Sequence, residues 1–123
     1  MALAAIETFL HDYFDALHTQ KPCVFGRVFH PHATLYSQQD GVTTIRPLSE
    51  YREIVANRAS PASLGQPRDE HVLMVDKLSD SMAVARVRLR LFDNIMEDHL
   101  NLIQTDEGWR VIAKTYTRVG PAV

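Results

Sequence analysis

Leu3, Ile6, Leu10, Tyr13 and Leu17 recur at helical spacing, while His11, Asp15 and His18 fall on the other side of the same wheel. The pattern predicts an amphipathic helix over residues 2–18. Pro22 suits a first helical position, and Val24, Phe25, Val28 and Phe29 give a short second helix one apolar face before Pro31 stops it. Residues 34–38 and 42–46 read as short strands around Gln39-Asp40-Gly41, a hairpin with glycine at the tight position. Ser49 is the expected N-cap of a third helix striped by Tyr51, Ile54 and Val55, with Arg58 continuing the stripe one turn on. Residues 59–67 are loop.

From Glu70 onward the period changes to two. Strands are predicted near 71–78, 82–92, 95–105 and 109–118, separated by Ser79-Asp80-Ser81, Asp93-Asn94 and Asp106-Glu107-Gly108. This order makes an α+β fold in which three helices from the N-terminal half cover one face of a curved, mostly antiparallel sheet. A chain of 123 residues is expected to form a single domain over 1–123 with one core.

Composition narrows the partners. A formal net charge of -2 gives no global attraction to nucleic acid or to anionic lipid, so neither is expected as a partner. Arg86, Arg88 and Arg90 alternate with Ala85, Val87 and Leu89, which puts three guanidiniums on the face away from the core. Without aromatic interleaving that stripe is better suited to pairing with Glu97, within the sheet or across a dimer contact, than to binding nucleic acid. Cys23 is the single cysteine, which excludes an intrachain disulfide and a one-chain thiolate metal site and fits a reducing compartment. The N-terminus has no basic leader and meets Glu7 and Asp12 early, and no stretch reaches membrane-spanning length, so a cytoplasmic location is expected.

Phe29-His30-Pro31-His32-Ala33, the Asp40-Gly41 turn, Asn57-Arg58-Ala59-Ser60-Pro61, Glu97-Asp98-His99-Leu100 and Trp109-Arg110-Val111-Ile112-Ala113-Lys114 occur in this order along nearly the whole chain. In this the chain resembles the nuclear transport factor 2-like superfamily, specifically its putative lumazine-binding branch. The resemblance implies a cone-shaped, cystatin-like fold enclosing a pocket, commonly as a homodimer. Some relatives are isomerases, dehydratases or polyketide cyclases, and many have no known activity. A lumazine or flavin ligand has no independent support in these residues.

Polar residues on apolar stripes are the candidates for chemistry, because a polar group there needs a partner or a ligand. Tyr13 reads first as a core tyrosine bonded to backbone and second as a pocket donor. Arg58 either snorkels outward at the helix end or clamps a carboxylate or phosphate with its planar fork. Asp98 shares its register with Leu100 and Leu102, which sends it to the core face as an acid, a base, or a salt-bridge partner of Arg58 or Lys114. Lys114 falls opposite Trp109, Val111 and Ala113 by simple alternation, which favours a solvated lysine, while the resemblance favours a distinctive role.

His30 and His32 are candidate proton-transfer groups or turn residues, and an aspartate commonly stands in the branch where His32 does. A metal would need a further ligand, and no metal is expected. Laid against the ketosteroid isomerases, Ser37 takes the place of the carboxylate base, which argues against steroid isomerisation. Dehydratase-like relatives combine tyrosines, histidines and an aspartate, a set echoed in type by Tyr13, Tyr36, His30, His32 and Asp98, although alternation with Leu35 turns Tyr36 away. No Gly-rich phosphate loop, cysteine nucleophile motif or Ser/His/Asp signature is present.

The leading expectation is a small-molecule-binding domain, with its pocket among the first helix, the third helix and the concave sheet face. Its ligand would be a small apolar or aromatic molecule, and any catalysis would be cofactor-independent acid–base work of a lyase or isomerase. The rival is a non-catalytic homodimeric interaction domain whose cone is filled by its own side chains.

Overall fold

The computed structural model describes residues 3–122. Helix α1, Leu3–Thr19, buries Ile6, Phe9, Leu10, Tyr13, Phe14, Ala16 and Leu17, a wider face than the predicted stripe because Phe9 and Phe14 join it. Ala2, where the predicted helix began, lies outside the described residues. The helix stops at Gln20, whose φ of 52° breaks the spiral while its N–H still reaches the Ala16 carbonyl at 2.8 Å. Helix α2, Pro22–Val28, buries Phe25 and Val28. Burying each such large apolar side chain is worth about 1.5–3 kcal/mol.

Helix α3 spans Leu48–Ala56, and two expectations for it are corrected. Its N-cap is Pro47 rather than Ser49, because strand β2, Val42–Pro47, runs straight into the helix and pairing with Thr34 holds Pro47 extended. The helix also ends before Arg58, which lies in the turn beyond and bonds back to the Val55 carbonyl.

The other strands are β1 Phe29–Gln39, β3 Glu70–Lys77, β4 Met82–Leu91, β5 Asn94–Thr105 and β6 Gly108–Pro121. They form a six-stranded curved sheet of order β2-β1-β6-β5-β4-β3, antiparallel except where β1 pairs with β6. The β1–β2 turn has Asp40 and Gly41 at φ 52° and 79° between the paired Gln39 and Val42, the left-handed geometry that short hairpins favour. Strand β1 begins five residues earlier than predicted, at Phe29 rather than residue 34. Its pairing with β6 is irregular between Phe29 and Thr34, so the missing N–H of Pro31 costs no ladder bond. His30 and His32 therefore sit in a strand and not in a turn.

One irregularity decides which side chains face the helices. Asn101 pairs with Ala113 but Leu102 pairs with Val111, so Ile112 is an extra residue bulged out of β6. Before the bulge Trp109 and Val111 point to the core. After it the parity reverses, and Lys114 and Tyr116 stand on the core face opposite Leu100 and Asp98. The core itself runs from α1 and α2 across Ala33, Leu35, Ala85, Val87, Leu100 and Leu102 of the sheet.

Candidate active site

At the centre of the core face, three ionisable side chains meet. Asp98, only 2% exposed, arrives from β5 by the alternation that also buries Leu100 and Leu102. Tyr13, fully buried on α1, donates its hydroxyl to Asp98 Oδ2 at 2.5 Å. Lys114, 4% exposed, brings Nζ to 3.4 Å from the same oxygen. The bland expectation for Tyr13, a bond to backbone, is thus replaced by a bond to a carboxylate. The solvated reading of Lys114 is likewise overturned, because the Ile112 bulge turns it inward.

The electrostatics are mutually consistent. Burial first, and then the negative charge and hydrogen bond of Asp98, push the Tyr13 hydroxyl well above the usual tyrosine value, so it remains a neutral donor. The Lys114 ammonium also lies 5.5, 5.8 and 5.5 Å from the ring centroids of Tyr13, Tyr51 and Tyr116, an aromatic box that stabilises a cation away from water. Both donors act on Oδ2. Among the described residues the one hydrogen bond that the Asp98 carboxylate accepts is that of Tyr13, on Oδ2.

Asp98 and Lys114 line a cavity of about 140 Å³ between α3 and the sheet. Leu35, Leu89, Leu91 and Met96 make its apolar wall, with the rings of Tyr51 and Tyr116 beside them. Ile54, Arg46 and Arg58 complete the lining. The expected contribution of the first helix is corrected: α1 places no residue on the wall, and Tyr13 acts from behind through Asp98. Arg46 is paired with Glu50 at 3.1 Å. Arg58 is held instead by neutral groups, with Nε donating to Gln20 Oε1 at 3.0 Å and Nη2 to the Tyr51 hydroxyl at 3.3 Å, while Phe92 lies 4.8 Å beneath its guanidinium. The predicted Arg58–Asp98 ion pair does not form.

Other predicted site residues lie elsewhere. Tyr36, 38% exposed, projects from the sheet face away from the helices, into a shallow hollow with Thr43, Ile45, Thr115 and Thr117, because Leu35 takes the inward position. His32 is exposed and its N–H donates to His30 Nδ1 at 3.0 Å, and neither histidine lines the cavity. The described residues contain no group of three His, Cys, Asp or Glu able to hold a metal. On the outer face Glu97 accepts from Arg86 at 2.7 Å and from Arg88 at 2.5 Å, and these bonds, that of Arg86 first, hold its carboxyl below the usual range. Arg90 donates to the Phe92 carbonyl at 3.0 Å and does not bond Glu97.

Sequence reasoning missed Arg46, Gln20 and Tyr116 as neighbours of the site and read Tyr51 only as an apolar stripe residue. Tyr51 was the findable one, since its hydroxyl on a buried helix face requires a polar partner. Gln20 carries no comparable signal.

A helical layer over one face of a curved sheet is the fold of solved structures described as NTF2-like and as cystatin-like. The chain belongs to the putative lumazine-binding family, whose model matches residues 2–117. Among solved structures, an NTF2-like protein of unknown function from Silicibacter pomeroyi superposes with a TM-score of 0.82 at 16% identity, covering 94% of each chain. An NTF2-like protein of unknown function from Shewanella baltica gives 0.79 at 20% identity, over 94% of this chain and 91% of that one. A ketosteroid isomerase-like protein from Erwinia carotovora atroseptica gives 0.74 at 13% identity over 98% of both. At such identities these likenesses establish the fold. No curated protein matches the sequence. No helix among the described residues is long and apolar enough to cross a membrane.

Proposed function

We propose that residues 1–123 act as one small-molecule-binding domain, with the ligand in the cavity between α3 and the sheet and Asp98 as its acid–base group. The observation that carries this reading is a buried carboxylate held through Oδ2 by Tyr13 and Lys114 on the wall of a cavity that also has an apolar side. Retaining a buried ion pair gives little net stability compared with apolar packing, so the cluster is better explained by a ligand than by the fold. With Oδ2 occupied, Oδ1 is the atom that would take a proton from a bound molecule, and Lys114 and Tyr13 would stabilise the returning charge. That supports cofactor-independent lyase or isomerase chemistry.

The cavity restricts the ligand. About 140 Å³ is close to the roughly 150 Å³ of an apolar cavity that accepts benzene, so a one-ring molecule fits and a fused two-ring lumazine is too large for it as it stands. The test is native mass spectrometry of gently purified protein followed by denaturation, with the released molecule identified and its hydrogen–deuterium exchange followed on the enzyme. A discrete adduct of one-ring size that exchanges a carbon-bound hydrogen with wild type but not with Asp98→Asn supports the reading. A protein that releases nothing and shifts no cavity resonance in a fragment screen removes it.

A second feature favours homodimerisation through the outer sheet face. Ile45 and Tyr36 stand exposed there beside the Arg86–Glu97–Arg88 cluster, an apolar patch with a charged border. Sedimentation velocity should show a dimer that Ile45→Asp converts to monomer, and an unchanged profile rules that face out.

A further inference from the structure

We propose that the ligand of this cavity is a small monocarboxylate whose anion is clamped by Arg58 and whose body, no larger than one ring, reaches toward Asp98. The proposal rests on the cavity reading above and adds the charge and class of its occupant. Three cations line the cavity, and each of two has a carboxylate of its own: Lys114 has Asp98 at 3.4 Å and Arg46 has Glu50 at 3.1 Å. Arg58 is in no ion pair among the described residues. Its position is nevertheless determined from three sides by Gln20, the Tyr51 hydroxyl and the Phe92 ring, all neutral. A guanidinium that is oriented but not neutralised is a prepared anion site.

Gln20 holds the same guanidinium from outside the cavity wall. It is 6% exposed, it gives Oε1 to Arg58, and its Nε2 is buried without a hydrogen-bond partner. Gln20 is not on the cavity wall, so this donor shows a shortage of acceptors beside Arg58 and is not itself a contact for the ligand. With Nε given to Gln20 and one Nη2 hydrogen to Tyr51, the Nη1–Nη2 edge of Arg58 retains the donors for a carboxylate.

The remaining features select the class. One unmatched cation suits a monoanion, whereas a phosphate dianion would need more donors than Arg58 has to spare. Asp98, on the wall of the same cavity, repels a second carboxylate but can accept a hydrogen bond from a hydroxyl, or take a proton from carbon. Leu35, Leu89, Leu91 and Met96 on the same wall suit an apolar body.

The experiment is a calorimetric and ¹H–¹⁵N NMR titration of the full chain with benzoate and isobutyrate, each against its neutral amide. At least one acid should shift the Leu89 and Met96 resonances and bind at least tenfold more tightly than its amide. Arg58→Met should reduce acid binding to the level of the amide without changing amide binding, and Arg58→Lys, which keeps the charge without the fork, should fall between them. If amides bind as well as acids, or if Arg58→Met leaves acid binding intact, the carboxylate assignment is wrong while the cavity reading stands. If neither acids nor amides perturb the cavity, both fall together.

Discussion

The Tyr13 hydroxyl and Asp98, eighty-five residues apart in sequence, share a 2.5 Å hydrogen bond inside the core, where α1 meets β5. The bond joins the helical layer to the sheet through a charged acceptor. Hydrogen bonds to charged groups are the stronger kind, worth about 1.5–3 kcal/mol net. It also anchors the carboxylate, because Tyr13 and Lys114 both act on Oδ2 of a residue that lines the cavity.

The raised Tyr13 value has a pH consequence with a definite sign. The native state holds the phenolic proton more tightly than the unfolded chain, so the stabilisation is fully present below the unfolded value of about 10 and is lost as pH rises through the higher folded value. Urea unfolding of wild type should therefore show stability falling above about pH 10, with a shallower fall in Tyr13→Phe. Equal slopes for the two proteins would show that Tyr13 is not buried against Asp98.

Lys114 and Asp98 should be coupled far more strongly than a surface pair. Lys114→Met alone leaves a buried carboxylate without its cation and is expected to cost about 3–5 kcal/mol. The double variant Asp98→Asn with Lys114→Met removes both charges and should recover much of that loss. A double-mutant cycle by urea denaturation measures the coupling, and additive single effects would place the ammonium away from Asp98.

Glu97 should titrate below an ordinary glutamate, because Arg86 first and Arg88 second bond its charged form. The stabilisation is present above the unfolded value of about 4.3 and is lost as pH falls through the lower folded value. Carboxyl ¹³C NMR should show this, with Arg86→Ala moving the Glu97 midpoint upward more than Arg88→Ala. If neither variant moves the midpoint, the guanidiniums do not bond Glu97 in solution.

Much of the architecture was legible locally. The stripe Ile6, Leu10, Tyr13 and Leu17 and the change to period two after Glu70 each depend on a repeat within a few residues, so the helices and the four-strand meander could be read without tertiary information. The same local rule sent Asp98 inward with Leu100 and Leu102, and Tyr36 outward beside Leu35.

Lys114 shows where that rule stops. Alternation read from Trp109 turns it outward, yet the single extra residue at Ile112 reverses the parity of everything after it. A bulge is a relation between two paired strands, and the amino-acid order of one strand does not contain it. The parallel pairing of β1 with β6 and the meeting of Gln20 with Arg58 across thirty-eight positions have the same origin. The sequence by itself determined which segments are helix or strand and which face of most is apolar, since those are properties of neighbours along the chain. Only the tertiary structure decided which charged groups share the core, because that depends on register between segments distant in sequence.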